Sequence, residues 1–473
     1  MILCDAKLRR PASVAVDDLI RYSICTDHAL KHRSDVDLGH DLREMSSATA
    51  AEFGHIVRGD PKLLGFYLDY RLDVTPVTAE IPGFAGSFAA KHAAGRQSAH
   101  IRARLAEANL RLNRNDEAWR MADAALKPGA RANDLALATF VKADVAKRKR
   151  LHTASKRLFL RLVKSYPKSY LADGARENLA LIYEHERDFG RALDLYRRLK
   201  YEFDVAYILD VRISPTQLRK YIESHRGDPM SALLRFSLGF RYMRSHEFAR
   251  AQATFAALSR TTRERLLNLP EAHDWYEDAS PLQDPLITAR DLRRLERAVR
   301  ASPTGELRAK ALFAEAGYYY LHRNLLLYNG SLWKGQRAMA ITFSWNSHIA
   351  TPGDERALDE HHWAHECLAQ TLLLCNQVVR KYPHSATAPR AAYRGACSAE
   401  RLANLNEFWR WKNDREDLIG QAAKLMVFAK RSPNAWLAAR ARKYAGEFQT
   451  QSAAVRSEFR SWRKPTAHYN ADR

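Results

Sequence analysis

Cysteine is scarce in this chain of 473 residues, and glycine and proline are few. None of the five cysteines forms a C-x-x-C pair, which argues against a disulfide framework and against a zinc ribbon. The cysteines are Cys4, Cys25, Cys367, Cys375 and Cys397. The shortage of glycine and proline, together with recurrent alanine, leucine and arginine, favours helices throughout.

Long apolar runs are absent as well. No stretch reaches the roughly 18 apolar residues that a membrane-spanning helix needs. The first residues, Met1 to Asp5, are apolar too briefly for the core of a signal peptide. We therefore expect a cytoplasmic protein, and a misassigned start codon would change that expectation to the cell envelope.

The motifs of common catalytic sites are also missing. The chain has no glycine-rich phosphate loop, no G-x-S-x-G elbow and no pair of carboxylates that spacing singles out. We predict a protein that is not an enzyme and that uses no cofactor and no metal. A catalytic function ranks last among the hypotheses.

One histidine cluster invites a metal interpretation. His361 and His365 are four residues apart, so on a helix they share one face and could bind zinc or iron together. Glu366 follows the last histidine, however, so the H-E-x-x-H pattern is absent, and spacing places no third ligand. We favour the alternative that these residues form a polar helix start that faces solvent.

Positive charge dominates the composition. Lysine and arginine number 76 against 54 aspartate and glutamate, which gives a formal net charge of +22. Such a surface attracts nucleic acid, anionic lipid or acidic proteins. No dense basic run is present. We therefore favour the explanation that the excess positive charge comes from arginines that cover solvated helix faces. We expect a protein or peptide partner, with an acidic one as an option, and only weak, sequence-indifferent nucleic-acid binding at low salt.

A repeated spacing organises the middle of the chain. Leu238, Gly239, Tyr242, Ala251 and Phe255 read L-G-x2-Y-x8-A-x3-F. The small residues would let two helix backbones approach closely while the large ones fill the space beside them. The same spacing recurs at Leu105 and Ala118, Val141 and Ala154, and Leu179 and Ala192. The pattern resembles the tetratricopeptide repeat (TPR), a pair of antiparallel helices that stacks on copies of itself.

The resemblance implies an all-α fold, a right-handed TPR-like α-solenoid of stacked antiparallel helix pairs. We predict an N-terminal helical segment and connector over 1–95, a TPR-like array over 96–262, a linker over 263–290, a second helical repeat block over 291–448 and a flexible basic tail over 449–473. An extra helix is expected to start at Ser214 as cap with Pro215 in its first turn. Residues 318–328 are apolar on every side, which predicts a helix buried between others.

A second pattern predicts turns between helices. In the segments Tyr166–Ser169, Tyr382–Ser385 and Ser432–Ala435, the second residue is proline. Two alanines, three positions apart, follow each segment. Each segment indicates a helix end, a proline turn and a new helix. This sequence pattern is similar to that of bacterial envelope TPR scaffolds of the outer-membrane-assembly lipoprotein type.

The TPR resemblance implies a non-catalytic scaffold that binds a peptide or a protein surface in its groove. It places Leu233, Phe236, Phe240 and Met243 on the concave face as partner-binding residues, and we call these four the apolar stripe. Either a partner's hydrophobic helix binds the stripe or another segment of the chain covers it, and we favour a cover by the extra helix near Gln217 or by the linker past Leu267. The alternative functions are an envelope-assembly scaffold of the lipoprotein type and a basic nucleic-acid-binding helical-repeat protein.

Overall fold

The computed structural model describes residues 96–267, 283–322, 326–333, 352–404 and 412–462. These ranges form nineteen α-helices and one π-helical segment and contain no β-strand, so the predicted all-α helical-repeat fold is confirmed. Contacts between Cα atoms divide the chain after Leu195 into two compact units, which we describe in turn. None of the described helices is both long and apolar enough to cross a membrane.

In the first unit, the described residues form helices that follow one another through short turns. They are α1 (Arg96–Arg111), α2 (Asn115–Ala125), α3 (Ala132–Arg148), α4 (His152–Ser165), α5 (Ala172–His185) and α6 (Phe189–Leu199), whose end belongs to the second unit. Each helix from α1 to α4 packs against the next, and α1 also packs against α3. This is the packing of stacked helix pairs that the repeated spacing predicts.

A short turn with one residue in the left-handed conformation joins the two helices of each pair. The backbone N–H that follows this residue by one position donates to a carbonyl five residues back, as between Asp188 N and Tyr183 O at 2.8 Å. Such a bond closes the first helix and turns the chain back along it. The positive-φ residues of these turns are Asn113, Arg150, Arg187 and, in the second unit, His246, and Lys200 after α6 is a further one.

The turn also fixes which positions face one another. Counted from its positive-φ residue, every pair has a small buried residue seven positions earlier: Ala106, Ala143, Ala180 and Gly239. A second small buried residue follows the turn by five positions: Ala118, Ser155, Ala192 and Ala251. These small residues allow the two helices of a pair to approach closely.

The predicted pairing of Val141 with Ala154 is therefore wrong by one residue. Ser155 is the fully buried residue, and its Oγ donates a hydrogen bond to the carbonyl oxygen of Ala143 at 2.9 Å. Serine can replace alanine here because this carbonyl satisfies the buried hydroxyl. The same shift makes Phe159 the large buried residue of this pair.

The second unit continues from the end of α6. Its elements are α7 (Glu202–Tyr207), a π-helical segment (Ile208–Arg212), α8 (Pro215–Ser224), α9 (Ser231–Arg244), α10 (Phe248–Ala256), α11 (Arg260–Leu267), α12 (Pro285–Ala301), α13 (Glu306–His322), α14 (Gly330–Trp333), α15 (Pro352–His365), α16 (Cys367–Lys381), α17 (Ala388–Ala403), α18 (Lys412–Ala429) and α19 (Ala435–Trp462). Successive helices from α15 to α19 pack against one another, and α13 packs against α16.

Two predicted local signals are confirmed. Helix α8 begins after Ser214, whose Oγ accepts from Gln217 N at 3.2 Å while the Gln217 side chain accepts from Ser214 N at 3.1 Å. Both Tyr-Pro segments form turns between helices, because the serine three residues after each tyrosine donates its backbone N–H to the tyrosine carbonyl at 3.0 Å. The alanines that follow, Ala172 and Ala388, begin α5 and α17 and are buried.

Three predicted segments differ from the structure at their ends. Residues 318–328 do not form one helix, because α13 ends at His322. Helices α11 and α12 enter the predicted linker 263–290 from both sides, and Pro285 starts α12 after Asp284, whose side chain accepts from Leu286 N. Residues 268–282 lie outside the described part of the chain.

Helix α19 continues to Trp462 and so runs through the first part of the predicted tail from residue 449. Ser452 and Val455 are buried on this helix, and their burial holds in place a stretch that looks polar in sequence. Residues 1–95 and 463–473 lie outside the described residues. The remaining domain boundaries stay predictions.

Helices α9 and α10 approach each other closely at Gly239. A Cβ atom added at Gly239 would lie 2.4 Å from two ring atoms of Phe255. The Phe255 ring is fully buried, and the rings of Phe236 and Phe240 pack edge-on against it at centroid distances of 5.6 and 5.5 Å. The ring therefore has no space into which it can move.

We predict that Gly239→Ala lowers the free energy of unfolding by on the order of 1–3 kcal/mol, because the added methyl group overpacks this contact. Gly420→Ala on α18 is the matched control, since an added Cβ there meets no atom within 4 Å. The control should gain up to about 1 kcal/mol from the better helix propensity of alanine. Chemical denaturation of the two variants should thus give changes of opposite sign, and a gain in both would contradict the close contact.

Candidate partner-binding surfaces

The apolar stripe lies on α9, and most of it is buried within the described chain. Phe236, Phe240 and Met243 are at most 3% exposed, and Leu233 is half-buried. Phe236 and Phe240 contact each other edge-on at 5.1 Å, in addition to their contacts with Phe255. A partner could reach these side chains only after other parts of the second unit move aside.

Residues 326–333 lie over α9, and we call them the covering segment. Asn329 is fully buried, and its Nδ2 donates to Ser237 Oγ at 3.0 Å. Ser331 Oγ donates to the carbonyl of Leu266 at the end of α11. Helix α14, at the end of the segment, packs against α7, α9 and α11. These contacts support the covered alternative, while partner binding at the stripe stays a prediction.

A buried carboxylate anchors the covering segment. Asp210 lies in the π-helical segment and is completely inaccessible to solvent. Its Oδ1 forms an ion pair with Arg244 of α9, and its Oδ2 accepts a hydrogen bond from Trp333 Nε1 at 2.8 Å. His361 Nε2 lies 3.4 Å from the same Oδ2. One carboxylate thus links α9, the covering segment and α15, and we call this group the Asp210 centre.

The arginines of α9 also bind the backbone around the π-helical segment. Arg241 Nη2 donates to the carbonyl of Ile213 at 2.6 Å, and Arg244 Nη1 donates to the carbonyl of Leu327 at 3.0 Å. These side chains satisfy carbonyls at the end of the segment and in the covering segment, where regular helical bonding is absent. Arginine suits this role because its fork of donors reaches several acceptors at once.

The charges at the Asp210 centre shift the pKa values of its members. Burial raises the pKa of Asp210, but Arg244, then His361, Trp333 and Arg241, outweigh it, so the pKa lies below the usual range. Burial, followed by repulsion from Arg244, lowers the pKa of Arg241 to about 10. The carboxylate is therefore ionised at neutral pH and balances buried positive charge.

The histidine cluster does not face solvent as expected. His361, His362 and His365 are 8%, 1% and 1% exposed. His361 lies against Trp333 at 5.8 Å between ring centroids and His365 against Tyr328 at 5.3 Å, so both contact the covering segment. Among the described residues, no group of three or more His, Cys, Asp or Glu side chains could hold a metal ion. The rings act as packing and polar partners at the Asp210 centre.

Sequence reasoning missed Asp210, although a signal was present. The residue is a lone carboxylate within the otherwise uncharged run Val205–Val211. A charge in such a run must find a partner once the run is buried. Spacing could not indicate that partner, because Arg244 and Trp333 come from distant parts of the chain.

The second unit also contains an open groove, and we call it the arginine–aromatic groove. It lies between α13, α17 and the start of α19, and its volume is about 440 Å³. Its lining residues are Phe313, Tyr320, Ala386, Arg390, Tyr393, Arg394, Cys397, Ser432, Pro433, Asn434, Trp436 and Leu437. Arg390 and Arg394 are the charged members, and no carboxylate is among them.

Aromatic rings fix the arginines of the groove. The Arg394 guanidinium lies 4.1 Å from the ring centroid of Phe313 and 5.5 Å from that of Tyr320, and that of Arg390 lies 5.3 Å from Phe313. Gly317 makes room for this arrangement, because an added Cβ would lie 2.8 Å from Arg394 Nη1. Burial lowers the pKa of Arg394, and the Arg390 charge nearby acts in the same direction.

Trp436 forms the rim of the groove at the start of α19. It is 64% exposed, which is unusual for so large an apolar side chain. Arg440, one turn further along α19, lies 5.1 Å from the indole. Sequence reasoning missed this groove, although Arg390 and Arg394, four residues apart, would share one helix face.

Comparisons with known proteins leave the family open. No family model matches the chain, and a comparison with curated proteins finds no match. Among solved structures, the crystal structure of the P58(IPK) TPR domain aligns with 88% of this chain and 97% of its own, at 12% sequence identity and a TM-score of 0.17. A score this low carries no structural argument, so the repeat geometry described above stands on its own. The narrower likeness to outer-membrane-assembly lipoproteins stays a prediction.

We predict that Asp210→Asn lowers the free energy of unfolding by about 3–5 kcal/mol, because Arg244 and Arg241 would keep buried positive charge without a counter-charge. Asp116→Asn is the matched control, since it removes an exposed ion pair with Lys149 and should change stability little. Chemical denaturation at neutral pH measures both. Equal small effects would show that the Asp210 centre does not depend on its charge.

We also predict that stability depends on pH through Glu315 on α13. Burial, followed by the nearby Glu296 carboxylate, raises the pKa of Glu315 to about 7. A carboxyl with a raised pKa binds its proton more tightly in the folded protein than in the unfolded chain. Its contribution to the free energy of unfolding is therefore fully present below about pH 4.5 and is lost as the pH rises to about 7. Glu315→Gln should therefore add on the order of 1–3 kcal/mol to the unfolding free energy at about pH 8 and little near pH 4.

Urea denaturation across this pH range measures the difference between Glu315→Gln and the wild type. Glu223→Gln, which changes an exposed residue of α8, is the control and should leave the pH profile of the wild type unchanged. A Glu315→Gln variant with the wild-type profile would contradict the raised pKa.

Proposed function

We propose that the chain is a non-catalytic helical-repeat scaffold and that a peptide segment of a protein partner binds in the arginine–aromatic groove. The observation that carries this proposal is an open groove of about 440 Å³ with a large apolar side chain, Trp436, exposed at its rim. Exposed tryptophans beside arginines are typical anchors of protein interfaces.

The framework of the groove is packed and needs no partner to form. Beneath the lining, α17 buries Ala388, Ala391 and Ala392 fully, and the neighbouring helices α16 and α18 contribute to the same core. A preformed surface loses little conformational entropy on binding, which favours recognition by a short segment.

The size of the groove limits what enters it. A volume of about 440 Å³ is at the lower end of ligand pockets and accommodates a few side chains rather than a folded domain. The partner is therefore expected to insert an extended or helical segment with one apolar anchor against Trp436. Charged residues of the segment would meet the arginines on α17.

The test is affinity capture from the native host with the full chain, followed by mass spectrometry. Trp436→Ala should reduce capture of the specific partner by roughly tenfold or more, because hot-spot tryptophans contribute about 2 kcal/mol or more. Leu321→Ala is the control, since Leu321 is 75% exposed on α13 but does not line the groove. Identical protein profiles for Trp436→Ala and the wild type would contradict the proposal.

A further inference from the structure

The arginines of the groove lack a carboxylate partner, unlike several exposed arginines of this chain. Elsewhere an arginine commonly pairs with a glutamate one turn away, as Arg111 does with Glu107 and Arg300 with Glu296. Around the groove, no ion pair within the described residues involves the side chains of Arg390, Arg394, Arg401 and Arg440. This positive charge is not compensated inside the described chain.

Stacking on aromatic rings restricts the positions of these guanidinium groups before an anion binds. Arg394 and Arg390 lie over Phe313, while Arg401 lies 5.2 Å from the ring centroid of Tyr320. Arg394 also donates to the Phe313 carbonyl at 3.4 Å, which leaves further N–H groups of its fork for another acceptor. A guanidinium held by an aromatic face loses less side-chain entropy when it binds a carboxylate.

From this arrangement we infer that the segment bound in the groove is acidic, with carboxylates bound by Arg390 and Arg394 and an adjacent apolar side chain packed against Trp436. This inference rests on the proposed function and names the chemistry of its partner. Charge complementarity supports it, because the lining contains two arginines and no acidic residue. Ser432 and Asn434 add neutral hydrogen-bonding groups beside them.

An acidic peptide fits the groove better than a nucleic acid does. Single-stranded nucleic acids bind by stacking bases on open aromatic faces along an extended basic track. Here guanidinium groups already lie over Phe313 and Tyr320. The groove also holds only a few side chains, so it cannot follow a phosphate backbone over several nucleotides. Carboxylates match the planar forks of the arginines directly.

The test measures binding of labelled probes to the full chain by fluorescence anisotropy at near-physiological salt. The acidic probe is a peptide of about twelve residues with about four glutamates around one phenylalanine. Its matched controls replace the glutamates by glutamine or by lysine, and oligothymidine of similar length represents nucleic acid. We expect the acidic probe to bind at least about tenfold more tightly than the glutamine probe.

Substitutions of the arginines assign this preference to the groove. Arg390→Gln combined with Arg394→Gln should weaken the acidic probe by about tenfold or more and leave the glutamine probe unchanged. Arg260→Gln combined with Arg300→Gln is the matched control, because both of these arginines pair with glutamates outside the groove. Charge reversal, Arg390→Glu with Arg394→Glu, should transfer the preference to the lysine probe.

Gly317→Ala tests the position of Arg394 without removing its charge. The added Cβ would meet only the guanidinium end of the Arg394 side chain, so it should displace this group and weaken the acidic probe several-fold. The melting temperature should stay equal or rise, because alanine favours the helix. Gly420→Ala, which meets no neighbouring atom, should leave the affinity unchanged.

The outcomes separate the two proposals. If Trp436→Ala loses its captured partner but the acidic and glutamine probes bind equally, the scaffold stands and the acidic partner is overturned. Tighter binding of oligothymidine than of the acidic probe, with a steep salt dependence, would overturn it in favour of nucleic acid. An acidic preference that survives both the arginine substitutions and Gly317→Ala would also overturn it, since the preference would then belong to another surface.

Discussion

The close approach of two helices within each repeat is the constraint on which the structure depends. In four helix pairs, the turn between the helices places a small residue of the first helix against the second, at Ala106, Ala143, Ala180 and Gly239. Protein interiors are packed too densely for a larger side chain to enter such a contact without moving a helix. In α9 the requirement is strictest, because the ring of Phe255 lies directly over Gly239.

The sequence predicts the helix pairs well because their signals are local. Residue spacing, a capping serine and a Tyr-Pro turn report geometry within one or two turns of the chain, and α8 and the starts of α5 and α17 follow them. The same method placed one repeat wrongly by one residue, because it counted alanines and Ser155 stands where an alanine was expected. A buried serine is recognisable only when the carbonyl that accepts its hydrogen bond is known.

The candidate sites were harder to predict because their residues meet across long distances in sequence. Spacing on α15 correctly grouped His361 and His365, but the carboxylate that contacts His361 comes from residue 210. The groove joins Phe313, Arg394 and Trp436 from three helices. Composition was equally uninformative on its own. A net charge of +22 includes cations with buried side chains, such as Arg244, and exposed ones such as Arg390, whose roles differ entirely.

The Asp210 centre has a consequence for the order in which the chain can fold. Its carboxylate, its arginine, its tryptophan and its histidine are contributed by residues 210, 244, 333 and 361. During synthesis the first two emerge long before the others, so Asp210 and Arg244 stay in contact with water until the later segments arrive to enclose them. Contacts between such distant residues carry a large loop-closure cost and form late. In the described part of the first unit, contacts join helices that are close in sequence, so these contacts can form early. The chain thus combines a part that can fold as it is made with a part that must wait for most of its length.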